Sequence, residues 1–233
     1  MTTLLAFARG PLFLFCFAFM VLGLLRHVLL TTWEIRRVQR RAGDPSLPRK
    51  ALFRATLRWL VPLDKLREQT LFTGTSILFH VGVLLVPLFL AGHIALSARG
   101  TGLKWPALPN TAADVLTIVS VIAGVALFTL RLSLRATRSL SRPLDFALPL
   151  LVALPIATGF FVMHPALDPF GFRAMLLVHV LSADLVMLLM PLTKLVHAVL
   201  LPGTQVLSEI GWHWPADSGS RVAAALGKEE EPV

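Results

Sequence analysis

Residues 80–93 read HVGVLLVPLFLAGH. No charged side chain lies between the two histidines, and the stretch sits inside an apolar run, residues 71–97. About 20 such residues suffice for a helix to cross the hydrocarbon of a bilayer. Four further runs, residues 6–30, 112–131, 145–163 and 174–200, make five in a chain of 233 residues. The chain is 55% hydrophobic and only 15% charged, less charge than a soluble domain of this length carries. The alternating segments of a membrane β-barrel are absent. The expected fold is all-α: an integral membrane bundle of five transmembrane helices.

The formal charge of +9 is distributed as a topology signal rather than as a nucleic-acid surface. Residues 31–70 hold ten Lys and Arg against four acids. The connection RLSLRATRSLSR adds Arg131, Arg135, Arg138 and Arg142 with no acid. The connections on the other side carry only Arg99, Lys104 and Arg173. Positive loops stay cytoplasmic, which places the N-terminus outside and the C-terminus in the cytoplasm. Residues 1–202 read as one membrane domain, with 31–70 its basic cytoplasmic loop and 203–233 a polar, mobile cytoplasmic tail. Within the loop, ALFRATLRWLVPLDKL has the spacing of a helix lying on the inner membrane surface. The first run lacks a small-residue cleavage site and reads as a retained span. A single cysteine, Cys16, excludes an internal disulfide, a four-cysteine iron–sulfur site and covalent haem attachment through C-x-x-C-H.

The seven histidines carry the functional signal. His80 and His93 lie in the second run, His179 and His197 in the fifth. Ionisable groups within a membrane are costly and mark function, and neutral imidazole is a standard axial ligand of haem iron. The two spans run in opposite directions, so depth pairs His80 with His197 on the inner side and His93 with His179 on the outer. Each pair is expected to hold one iron, giving two stacked haems. On a continuous helix His179 and His197 share a face, whereas His80 and His93 are about 140° apart. Pro87 and Pro191, one in each span, are the expected sources of local rotation. Gly82 and Gly92 suit either a macrocycle pressed on the backbone or close helix packing. His27, His164 and His213 read as headgroup-level, outer-surface and tail residues, not iron ligands.

On these residues the chain resembles the cytochrome b (gamma) subunit of respiratory nitrate reductase and the related dihaem subunits of sulfate-reducer redox complexes. The pieces that match are GPLFLFCFAFMVLGLLR, FHVGVLLVPLFLAGH, LRLSLRATRSLSRPLDF and the fifth run's MPLTKLVHAVLLP, within residues 10–202. Its second-span histidines stand further apart than in the nitrate reductase pattern, which points to the sulfate-reducer branch. The resemblance implies two haem b groups held by His80, His93, His179 and His197, with quinol (menaquinol) as substrate. It implies a cytoplasmic iron–sulfur partner within a larger multi-subunit complex, in a bacterial inner membrane. The chain would then be an electron-transfer subunit, oxidising quinol on the outer side or reducing quinone.

Asp184, Lys104, His164 and Arg99 are the quinol-site candidates, since they are the polar groups in or near the outer half. Arg26, Arg131 and Arg135, at the inner face, are candidates for haem propionates, and orientation alone also explains them. Trp212 and Trp214 with the basic loops form the expected docking surface for a soluble partner. Two other classes compete: a haem-free membrane anchor, and a proton-coupled transporter component relaying protons through Asp184, Lys194 and the histidines.

Overall fold

In the computed structural model of the protein, residues 2–40, 69–210 and 218–230 are described, together with 50, 53, 54, 57, 58, 66 and 67. The surface helix expected within 51–66 falls mostly outside the described residues, as do His213, Trp212 and Trp214. The described residues are helical without strands. Five helices are long and apolar enough to cross a membrane: α1 (Thr2–Gln39), α2 (Thr70–Phe89), α4 (Asn110–Ser133), α6 (Pro143–Met163) and α7 (Phe172–Leu192). Between and after them lie α3 (Ala91–Thr101), α5 (Arg135–Leu140), α8 (His197–Ile210) and α9 (Ser218–Ala225). The tail expected to be mobile thus carries the end of α8 and a further helix.

What lies inside and outside is the reverse of a soluble core. The buried positions of α4 include Ala113, Thr117, Ser120, Ala123 and Gly124. Bulky apolar residues on the same helix, such as Ile122 (62% exposed) and Val125 (50% exposed), face outward. Between helices in lipid, small residues permit close packing while large apolar ones meet acyl chains. The Thr117 and Ser120 hydroxyls donate to the Ala113 and Leu116 carbonyls of their own helix, at 2.7 and 2.6 Å, so neither is left unsatisfied.

The chain divides into two compact units. In the first, residues 1–18 and 63–188, α4 is the centre, packed by α2 on one side and α6 on the other. Gly82 meets α4 at the Ser120 side chain and the Leu116 carbonyl, and Gly124 of α4 meets Phe79 and Ala153. Of the two readings for Gly82, helix packing is the one found. Gly92 faces open space. In the second unit, residues 19–62 and 189–233, α1 packs on the end of α7 and on α8. There Gly23 abuts the Pro191 side chain and Gly203 abuts Thr31.

Two of the expected spans are not single helices. Residues 71–97 break at Leu90, whose backbone is extended (φ −73°, ψ 129°), and helix resumes at Ala91. Residues 174–200 break at Thr193 (φ −127°, ψ −173°), followed by a 3-10 turn (Lys194–Val196) and then α8. Each break falls two or three residues after an internal proline, which lacks an N–H and crowds the preceding turn. The continuous-helix registers computed for both histidine pairs therefore do not apply.

A helix leaves its last four carbonyls without intrahelical donors. At the end of α2 all four are met: Val86 by Leu90 N–H, Pro87 by His93, Leu88 by the Trp105 indole at 2.8 Å, and Phe89 by Leu108 N–H. Trp105, expected as an interfacial aromatic, caps the helix. Trp105→Phe keeps the ring and removes the donor. It is expected to cost about 1–2 kcal/mol of stability, read as a lower unfolding midpoint in detergent.

Candidate functional site: the imidazole pair

The break at Leu90 places His93 in the first turn of α3 and frees the Pro87 carbonyl at the end of α2. His93 Nδ1–H donates to that carbonyl at 2.9 Å. His179, from α7, donates its own Nδ1–H to another proline carbonyl, Pro155 of α6, at 2.9 Å. Its ring lies against Gly159, where an added Cβ would stand 3.0 Å from Cε1. The Thr158 hydroxyl is 3.5 Å from the same Nδ1. The two rings stand 6.1 Å apart between centroids, with planes 12° from parallel. Both are part-buried, in the first unit.

This arrangement assigns the nitrogens. A histidine that binds a metal through one ring nitrogen gives the other N–H to a carbonyl or carboxylate, which fixes tautomer and orientation. With Nδ1 bound to a carbonyl in both rings, Nε2 carries the lone pair, and neither Nε2 is hydrogen-bonded among the described residues. Metal–imidazole bonds are about 2 Å long, and a ring centroid lies roughly 1 Å behind its nitrogen. Two imidazoles on opposite sides of one metal ion therefore have centroids about 6 Å apart.

The donor set also discriminates between kinds of metal site. Among the described residues no three His, Cys, Asp or Glu cluster as a bare ion requires. Two axial imidazoles are what a macrocycle-bound iron takes from a protein. Moreover, α7 is not packed closely along α2 in the way that α2, α4 and α6 pack in sequence. The residues fit a haem.

His80 and His197 follow the same local rule, each within its own unit. His80 Nδ1–H donates to the Ser76 carbonyl at 2.7 Å, and the Phe79 ring stands edge-on to it. His197, the first residue of α8, donates from Nδ1 to the Lys194 carbonyl at 2.7 Å. With Lys194, Val196, Leu200, Leu201 and Thr204 it lines a cleft of about 470 Å³. The histidines not expected as ligands differ: His27 engages the Pro191 carbonyl through Nε2 at 2.9 Å, and His164 engages Asp114 through Nε2 at 3.0 Å.

The polar candidates occupy separate settings. Arg99 and Lys104 are exposed, on α3 and the following loop. His164, at the C-cap of α6, pairs with Asp114 of α4. Asp184 is 3% exposed, and neither carboxylate oxygen has a hydrogen-bond partner among the described residues. It turns away from the imidazole pair towards α1, where the fully buried Cys16 is its electrostatic neighbour. An unpaired carboxyl there costs stability, so Asp184→Leu is expected to raise the unfolding midpoint by an amount equivalent to about 1–3 kcal/mol. Arg26 and Arg135 are exposed, while Arg131 is half-buried with an unpartnered Nε.

Sequence reading missed Gly159, Pro155 and Asp114. Gly159 had a signal, a lone glycine within a helical span. Pro155 acts through its carbonyl, which any residue type carries, so its role is invisible in sequence.

Fold and composition define a multi-pass helical membrane protein. The chain is 35% identical over 203 residues to a protein of Nitratidesulfovibrio vulgaris (strain Hildenborough), covering 84% of this chain and 87% of that one; it belongs to the same family. That relative is described only as "Protein", which states no activity. No family model matches the chain, and no solved structure matches it.

Proposed function

We propose that the chain is a dihaem b-type cytochrome subunit of a membrane redox complex. It would carry electrons between the quinol pool, on the outer side, and a cytoplasmic iron–sulfur partner. The charge asymmetry of the loops supports an outside N-terminus and a cytoplasmic C-terminus, in a bacterial inner membrane. The observation that carries the reading is the His93–His179 pair, with near-parallel rings 6.1 Å apart between centroids and each Nδ1 committed to a proline carbonyl.

His93 and His179 would hold the outer haem; His80 and His197, from the same two spans, would hold the inner one. When bound, haem supplies reversible one-electron exchange with no open iron position. The protein's part is orientation. Pro87 and Pro155 carbonyls hold the two outer rings in one tautomer, and Gly159 admits the His179 ring against α6. Arg26, Arg131 and Arg135 would supply the cations that the inner haem's propionates need. Asp184 favours a second reading, proton relay without haem.

A reduced-minus-oxidised spectrum of the purified chain, with a haemochrome count, separates the two. About two b-type haems per chain is the expected result; a chain without haem ends the dihaem reading.

A further inference from the structure

We propose that His164 is the base that takes the proton from quinol, oriented by Asp114. The proposal rests on the dihaem reading and names the residues that serve its substrate.

Position comes first. His164 lies five residues beyond Gly159, against which His179 packs, so it stands about 7.5 Å further along α6. It is therefore at the helix end adjoining the imidazole pair, near enough for a substrate held there to sit next to the proposed outer haem. Asp114 reaches it from the N-terminal part of α4. Both side chains are about one-third exposed, 35% and 34%, so a ligand from the membrane edge can touch them.

The hydrogen bonding supplies the chemistry. Nε2 of His164 is 3.0 Å from Asp114 Oδ1. A neutral imidazole donates Nε2–H there, and Nδ1 is left as the basic nitrogen, with no hydrogen bond among the described residues. A carboxylate in that place fixes the tautomer and stabilises the imidazolium formed on proton uptake. His27, His93 and His179 give a nitrogen to a backbone carbonyl, which orients a ring without stabilising its cation in this way. Phe160, whose ring centroid is 4.4 Å from that of His164, offers an apolar face beside the base for an aromatic substrate.

The step balances as follows. The quinol O–H bond breaks; its proton forms an N–H bond at His164 Nδ1, and one electron leaves to the ferric haem that the proposed function supplies as oxidant. A second such transfer completes conversion of hydroquinone to quinone. His164 passes each proton to the aqueous phase at the exposed end of α6.

The test uses the full chain in nanodiscs with menadiol as reductant and menadione as binding probe. His164→Gln is expected to slow menadiol-driven haem reduction about 100-fold, while menadione binding weakens less than tenfold. Dithionite reduces the haems of parent and variant alike. Asp114→Asn is expected to slow the same step, again with menadione binding weakened less than tenfold. Intact, dithionite-reducible haems with an unchanged menadiol rate in His164→Gln overturn the proposal alone. A parent chain holding no haem overturns the dihaem reading and this proposal with it.

Discussion

His179→Ala is expected to leave the chain with one haem, where the proposed dihaem function gives the parent two. The imidazole is one of only two protein ligands that the proposed outer iron has, and the space left against Gly159 supplies no replacement. Metal sites lose affinity steeply even when an orienting partner alone is changed, by 10–100-fold; removing the ligand itself leaves no bound population. His93→Ala is expected to remove the same haem, with the same midpoint potential, because the rings of these two residues stand 6.1 Å apart, the separation of two ligands on one iron. His80→Ala and His197→Ala are expected to remove the other. A redox titration of the four variants reads this directly. Loss of the same haem in His80→Ala and His93→Ala would show that the depth pairing is mistaken.

Gly82→Val is the second large effect, and it acts on the scaffold. A Cβ at this position enters the Ser120 side chain and stands 2.9 Å from the Leu116 carbonyl. Ser120 is 1% exposed and its hydroxyl is bound to that carbonyl, so it has little room to turn. The larger side chain must force α2 from α4, which for overpacking in a closed core costs about 3 kcal/mol. Because α2 carries His80 and leads into His93, both haems are expected at reduced occupancy, together with a lower unfolding midpoint. Gly82→Ala with Ser120→Gly recovers part of the loss, since the side chain in the way is gone and the carbonyl is not. Full haem content and an unaltered midpoint in Gly82→Val would remove Gly82 from the contact.

The five apolar runs were legible because lipid imposes length and composition directly, and each contains one long helix or most of one. Helix interruptions were not legible to the same degree. Pro87 and Pro191 announced bends, but a proline in a membrane helix is compatible with a kink or a full stop. The full stop at Leu90 depends on Trp105 and Leu108, which meet the carbonyls left behind from a loop 15–18 residues onward. That satisfaction is tertiary. The stop also removes the difficulty posed by the 13-residue offset from His80 to His93, because the two sit on separate helices.

The imidazoles themselves stood out in sequence, as polar groups do in a run of Leu and Val. Their partners did not. Backbone carbonyls of Ser76, Pro87, Pro155 and Lys194 receive the four Nδ1 protons, and a carbonyl is identical in every residue. The same applies to Gly82. A glycine next to a histidine reads equally as room for a flat ring or room for a helix, and only the position of Ser120 decides.

The most direct measurement of the central claim is near-infrared magnetic circular dichroism of the oxidised, purified chain, in which the charge-transfer band reports the axial ligands of low-spin ferric haem. Four histidines acting as two pairs give a bis-imidazole band accounting for all the bound haem. A band from any other ligand pair, or high-spin iron in half of the haem or more, contradicts it.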